Sequence, residues 1–255
     1  MILTLDLGNT RISAGIFKNN KIIASKFFLY DNFPKMIKKW IKSGGWKLDK
    51  AYFCSVNPKK TPLLKKSIKT LYPTLKVIQV HNKDIPILNK YNNLQKLGVD
   101  RTLNVYTAGS LYGWPCLSID VGTAITFDLG GPKSTFEGGL IFPSPELSLS
   151  AIQERAAKIE NFPFSLPKNP KLTGLNTKDS ILFGMSLGYR SLFEAVISEF
   201  QQYAKKKWKK RLKVVLTGGG LHHFNFKSNS SLKVDNHLTL KGLALLQKVP
   251  GTFSR

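Results

Sequence analysis

Short apolar runs of strand length alternate along this chain with stretches that carry an apolar residue every third or fourth position. The opening "ILTLD" predicts a buried strand over residues 2–6. "RISAGIF" and "KIIASKFF" predict two more, joined across "KNNK", where Asn19 and Asn20 suit a tight hairpin turn. Strand-like and helix-like segments then take turns: "FPKMIKKWIKS" as helix, "KAYFCSV" as strand, "PLLKKSIKTLY" as helix, "LKVIQV" as strand.

Near residue 115 the opening pattern returns. "CLSIDVGTAITFDLGGPKSTFEGGLIF" reads as strand, loop, strand, a "GGPK" turn and strand, so that "LTLDLGNTRISAGIF" and "LSIDVGTAITFDLGG" align with Asp6 on Asp120 and Gly8 on Gly122. An internal repeat of this length predicts a duplicated architecture, residues 1–114 and 115–255, whose two acidic turns face each other across a cleft. After the second hairpin, "SLSAIQERAAKI" predicts a helix and "FPFSLPKNPKLTG" a Pro-punctuated loop. "DSILFGMSLGYRSLFEAVISEFQQYAKK" predicts a long helix, "KVVLTGGG" a strand running into a turn, and "NHLTLKGLALLQKV" a closing helix.

Composition narrows the class. Hydrophobic residues make up 42% of the 255 positions, enough to fill a core, and no apolar run approaches the roughly 18 residues of a membrane helix. Asp6 interrupts the first apolar run, so a signal peptide is not predicted and the expected location is the cytoplasm, with no membrane partner. Cys54 and Cys116 lie far apart and the four histidines form no HExxH, which points away from a disulfide framework or a zinc site.

Charge adds a question. Thirty-nine Lys and Arg against 15 Asp and Glu leave a formal charge of +24, a field that draws polyanions from ATP to RNA. The densest segment, "AKKKWKKRLK", sets Lys205, Lys206, Lys207, Lys209, Lys210, Arg211 and Lys213 around Trp208. Cations with an aromatic can clamp a nucleic acid. The segment also closes a long helical pattern, where cations suit the helix dipole, and that reading is preferred.

With acids so scarce, Asp6 and Asp120 need a reason. A Gly-flanked turn after a buried strand lets main-chain N–H groups approach a phosphate, yet a carboxylate there repels it unless a cation lies between. Asn9, Thr10 and Thr123 add side-chain hydrogen bonds to phosphate oxygens. Neither a Walker loop nor GxGxxG is present. "LTGGG" at 216–220 offers bare backbone to a sugar or base, and "GMSLG" at 184–188 mimics a hydrolase nucleophile elbow but sits inside a helix-period stretch, where its small residues suit close packing. In "YNNLQKLGVDRTLN", Asp100 either caps the following helix or accepts the proton of an attacking hydroxyl while Arg101 holds an anionic group.

"DLGNTRIS", "LGVDR", "DVGTAITFD", "EGGLIFP", "GLNTKDSILFG" and "LTGGG", in this order from residue 1 to about 245, resemble the type III pantothenate kinases, the Bvg accessory factor family. The resemblance implies an α/β actin-like ATPase (ASKHA) fold of two duplicated ribonuclease-H-like halves, and ATP-dependent phosphorylation of pantothenate at its 4′-hydroxyl, the first step towards coenzyme A. It further implies that Asp6, Leu7, Gly8, Asn9, Thr10, Arg11, Ile12 and Ser13 hold the ATP phosphates, with Asp6 near Mg²⁺ or another divalent cation, and that Thr123 contacts ATP. By the same pattern Asp100 is the general base, Tyr91, Gly98, Val99, Asp100 and Arg101 meet pantothenate, and Asp120 binds K⁺ or NH₄⁺. Thr177 would reach pantothenate from a neighbouring subunit, which implies a homodimer. Two positions depart from the pattern: Ser144 stands where Gly is usual, and Thr102 where an aromatic often is. The competing readings are another actin-like phosphotransferase and a nucleic-acid-binding or transcription-accessory protein.

Overall fold

The computed structural model describes residues 1–248. Residues 249–255, which end the second predicted half and include the last position of the predicted closing helix, lie outside the described residues. The chain forms two compact units, residues 1–110 with 237–248, and residues 111–236.

The first unit begins with β1 (Ile2–Leu7), β2 (Arg11–Lys18) and β3 (Lys21–Leu29). Asn19 and Asn20, both at positive φ, make the turn between β2 and β3 that the sequence predicts. Next come α1 (Phe33–Ser43), β4 (Lys50–Ser55), α2 (Thr61–Leu71) and β5 (Lys76–Gln79). A two-residue strand β6 (Leu88–Asn89) and helix α3 (Val99–Tyr112) follow. The sheet order is β3-β2-β1-β4-β5, antiparallel through the hairpins and parallel from β1 to β4 and β5. Period-two alternation buries Leu3, Leu5 and Leu7 on one face, against Phe33, Ile37 and Ile41 of α1 and Leu64 and Ile68 of α2. The helical residues sit one turn apart, which is why each helix offers a single apolar stripe.

The second unit repeats this plan with β7 (Cys116–Val121), β8 (Ala124–Gly131), β9 (Thr135–Pro143), α4 (Pro145–Arg155), α5 (Thr177–Trp208), β10 (Lys213–Thr217) and β11 (Leu232–Val234). Its strands follow the order β9-β8-β7-β10-β11, the first unit's order over again, with the same pattern of parallel and antiparallel neighbours. Even the irregularity recurs: the register shifts after Ile16 in the first hairpin and after Leu129 in the second. Strand order 3-2-1-4-5 in both units is the ribonuclease-H-like arrangement, and its duplication is the actin-like α/β fold that the resemblance implies. Ser144, at φ −70°, needs no glycine there, and its hydroxyl caps α4 by accepting the Leu147 N–H at 3.1 Å.

The sequence repeat places the closing segment in the second half, but helix α6 (Leu238–Leu245) packs instead on β1, β2 and β4 of the first unit. It covers the sheet face opposite α1 and α2. Leu243 and the following Leu246 join Tyr52, Cys54, Val99 and Leu103 in one apolar cluster, and Thr239 donates its hydroxyl to Asn104 at 2.8 Å. Gly242 allows the close approach to α3, since a Cβ there would meet Thr107 Oγ1 at 2.2 Å and Leu103 Cγ at 2.8 Å. Gly242→Ala should therefore destabilise the protein by about 1–3 kcal/mol, the usual cost of overpacking a filled core. A urea midpoint equal to wild type would show that this contact is dispensable.

Candidate active site

In the first unit the site begins where β1 runs out of core. Alternation turns Thr4 and Asp6 away from the Leu3, Leu5, Leu7 face, and register aligns Cys54, Asp6, Ser13 and Phe27 as one row across four strands. Cys54 donates its thiol to Asp6 Oδ1 at 3.4 Å. The hairpin tip is closed by Gly8 N–H donating to the Arg11 carbonyl at 3.2 Å, leaving Asn9 and Thr10 exposed. Arg11 lays its guanidinium 4.3 Å from the Phe27 ring centroid. Leu7 and Ile12 are fully buried, so their side chains serve the core and any ligand contact they make is through main chain.

Asp100 reaches the same end of the unit from the first turn of α3. The irregular segment before it is tied down by Asn82, whose amide donates to the Leu94 carbonyl at 3.0 Å and to Leu97 at 2.8 Å. Gly98 clears the space for the carboxylate: a Cβ there would stand 2.4 Å from Asp100 Oδ1. That oxygen accepts the Arg101 N–H at 2.8 Å. Arg101 is buried, with its guanidinium 5.9 Å from the Tyr91 ring, while Val99 packs into the core between them in sequence.

Asp6 senses the charge of Asp100. Burial, and then the neighbouring Asp100 charge, push the Asp6 carboxyl up to about 7, against the Cys54 hydrogen bond and the Arg11 charge, which pull it down. Asp100 is raised as well, chiefly by burial, with the Arg101 N–H and guanidinium opposing. Cys54 is pushed far up by burial and by both carboxylates, so it stays a thiol. A hard divalent cation would relieve a carboxylate raised in this way, and the oxygen ligands of Asp6 suit Mg²⁺.

In the second unit Asp120 occupies the position of Asp6. It pairs in register with Thr126 across the hairpin and with Thr217 of β10, as Asp6 pairs with Ser13 and Cys54. Gly122 N–H closes the tip on the Ala124 carbonyl at 3.0 Å, and Thr123 is exposed there. The first glycine of "LTGGG" has a role the sequence does not reveal. Gly218 has φ +100°, and a Cβ on it would lie 2.4 Å from both Asp120 Oδ1 and the Val121 carbonyl oxygen. A carboxylate and a carbonyl beside bare backbone form an all-oxygen setting that fits a monovalent cation. Thr177 stands apart in this unit, exposed at the start of α5 behind its Asn176 cap, in an open hollow of about 570 Å³ whose lining includes neither Asp120 nor Thr123.

Two decoys resolve. Ser186 of "GMSLG" lies within α5 and donates to the Pro167 carbonyl at 2.8 Å. The close packing expected of its small neighbours is not found, since a Cβ on Gly184 or Gly188 meets nothing within 4 Å. Trp208 of the basic segment packs against the second core with its ring on Tyr203, and Lys207 bonds the Tyr203 hydroxyl at 2.7 Å and faces Glu137 at 3.5 Å. Lys205, Lys206 and Lys207 fill the last turn of α5, as the helix-end reading expects.

The sequence profile of the family described as type III pantothenate kinase matches residues 2–199. This chain belongs to that family. A type III pantothenate kinase of Sulfurihydrogenibium sp. (strain YO3AOP1) is 30% identical over 97% of the chain and all of its own length, and one of Halalkalibacterium halodurans is 29% identical over 97% and 99%. Among solved structures, a Campylobacter jejuni protein described as a Baf family transcriptional activator superposes with a TM-score of 0.58 at 20% identity, covering 96% of this chain and 97% of its own. The ethanolamine utilization protein EutJ of Carboxydothermus hydrogenoformans superposes at 0.51 with 12% identity, covering 96% and 89%. At such identities these two share the fold.

A pantothenate kinase with a raised Asp6 has a distinctive stability profile. The folded state holds this proton more tightly than the unfolded chain, whose Asp titrates near 3.8. The resulting stabilisation is complete below pH ~4, declines as pH rises and is gone above ~7. In metal-free protein, melting temperature should fall across that window, and Asp6→Asn should flatten the fall. Parallel profiles for the two proteins would contradict the raised carboxyl.

Proposed function

We propose that the chain transfers the γ-phosphoryl group of ATP to the 4′-hydroxyl of pantothenate, working in the cytoplasm, with Asp6 and Asp100 as its central pair. The observation that carries the residue roles is the coupling of Asp6, on the hairpin, to Asp100, on the first turn of α3. One carboxylate belongs to the phosphate loop and the other to the acceptor side.

The hairpin from Asp6 to Ser13 cradles the phosphates with main-chain N–H groups and the exposed Asn9 and Thr10, and Arg11 faces them with its charge. Thr123 contacts the nucleotide from the second hairpin. Asp6 would hold Mg²⁺ together with the nucleotide, and the ion would supply the charge neutralisation that phosphoryl transfer requires. Asp100 accepts the hydroxyl proton as the oxygen attacks, and its raised affinity for protons suits that task. Arg101, fixed by burial beside Tyr91, holds the pantothenate carboxylate, and Gly98 keeps Asp100 in position. Asp120 would hold K⁺ or NH₄⁺. The homodimer implied by the family pattern brings Thr177 of one copy to the pantothenate of the other.

Purified protein with ATP, Mg²⁺, K⁺ and pantothenate, followed by ADP release, tests this reading. Asp100→Asn should lower turnover by roughly 10²-fold or more with the melting temperature retained. Unchanged turnover would remove Asp100 from the role. Asp120→Asn should abolish the stimulation by K⁺ over Na⁺, and an equal stimulation in the variant would place the monovalent cation elsewhere.

A further inference from the structure

The turn between β4 and α2 lies beside the phosphate hairpin and carries a cation that none of the recognised motifs contains. Val56 N–H, directly after β4, donates to the Leu7 carbonyl at 3.2 Å, which ties the turn to the end of β1. The turn is internally braced. Ser55 Oγ accepts the Asn57 N–H at 3.1 Å and the Thr61 hydroxyl at 2.8 Å, and Asn57 Oδ1 accepts the Lys60 N–H at 3.1 Å. Lys60 therefore leaves a fixed backbone. Its ammonium stands 3.9 Å from the centroid of the Tyr30 ring, and the Tyr30 hydroxyl donates to the carbonyl of Gly8, at the hairpin tip, at 2.5 Å.

Tyr30 is thus clamped between the two. It holds the hairpin glycine through its hydroxyl and seats the lysine on its face, where a ring restrains an ammonium without neutralising it. Burial, and then the Asp6 charge, push the Tyr30 hydroxyl up to about 12, so the donor to Gly8 stays protonated. Among the described residues Lys60 makes no ion pair with a carboxylate. An immobilised, unneutralised ammonium beside a hairpin of phosphate-binding type is the arrangement by which lysine serves as a point charge for phosphate.

We propose that Lys60 is a phosphate-binding residue of this enzyme, contacting the polyphosphate of the nucleotide, and that Tyr30 positions both Lys60 and Gly8 for it. The assignment rests on the reading of the Asp6–Ser13 hairpin as the phosphate loop. Because the chain carries +24, any lysine removed weakens anion binding slightly, so the test compares Lys60 with its exposed neighbour Lys59 at equal charge change.

Calorimetric titration of the full chain with Mg·ATP and with inorganic tripolyphosphate, in about 0.15 M salt where distant charges are screened, makes the comparison. Lys60→Gln should weaken both ligands about 10-fold, the loss expected when one charge-assisted contact is removed. Lys59→Gln should stay within about 2-fold, the size of a screened surface charge. Lys60→Arg should recover most of the affinity, and the KM for pantothenate should be unmoved in all three. Equal affinities for the Lys59 and Lys60 variants, with wild type binding both ligands, would overturn the role of Lys60 and leave the hairpin reading intact. Failure of wild type to bind either ligand would overturn both.

Discussion

Two carboxylates set close together in partly buried surroundings repel each other, and the fold of the first unit holds them there. Asp6 is fixed because β1 is a central strand, paired on both sides and pinned by three leucines to the core beneath. Asp100 is fixed because α3 is packed against α6 and the same sheet. Burial, and after it the Asp100 charge, is taken up as a raised proton affinity of Asp6 and, in the proposed chemistry, as an affinity for a divalent cation. Everything proposed for the chemistry follows from that constraint: a cation for the phosphates at one carboxylate, a base for the hydroxyl at the other.

The two units solve a shared problem in the same way. Each carries an aspartate one residue before the end of its central strand, closes the following hairpin with a Gly N–H bond, and shifts register at the matching point of its second and third strands. Two of the three site aspartates also have a glycine whose missing Cβ makes room for the carboxylate, Gly98 for Asp100 and Gly218 for Asp120. Glycine there is a spatial requirement more than a matter of flexibility. What differs is the neighbour in register: Cys54 beside Asp6, a thiol donor, and Thr217 beside Asp120.

Much of this was legible in the sequence, for definable reasons. The duplication showed because two copies of a strand, an Asp-x-Gly turn and a strand carry the same period-two pattern, and Asn19 and Asn20 announced their hairpin by turn chemistry alone. The long helix α5 was legible from its periodicity, and its basic end from the dipole. What escaped depends on tertiary contact. Nothing local in "LTLKGLALL" tells that it covers the first sheet. Strands β6 and β11, of two and three residues, are too short to leave a pattern. The supporting residues Cys54, Asn82, Tyr30 and Lys60 belong to no motif, because each acts on a residue distant in sequence and identifiable only once the chain is folded. Leu7 and Ile12 show the converse: a motif names them with the phosphate loop, while strand alternation sends their side chains into the core.

The coupling of the two acids can be read directly from the ionisation of Asp6, followed by carbon NMR of its labelled carboxyl group in metal-free protein, with and without Asp100→Asn. The account predicts that Asp6 titrates near 7 in the wild type and at clearly lower pH once the Asp100 charge is removed. An Asp6 titration at the same pH in both proteins would show that the two carboxylates do not share a site.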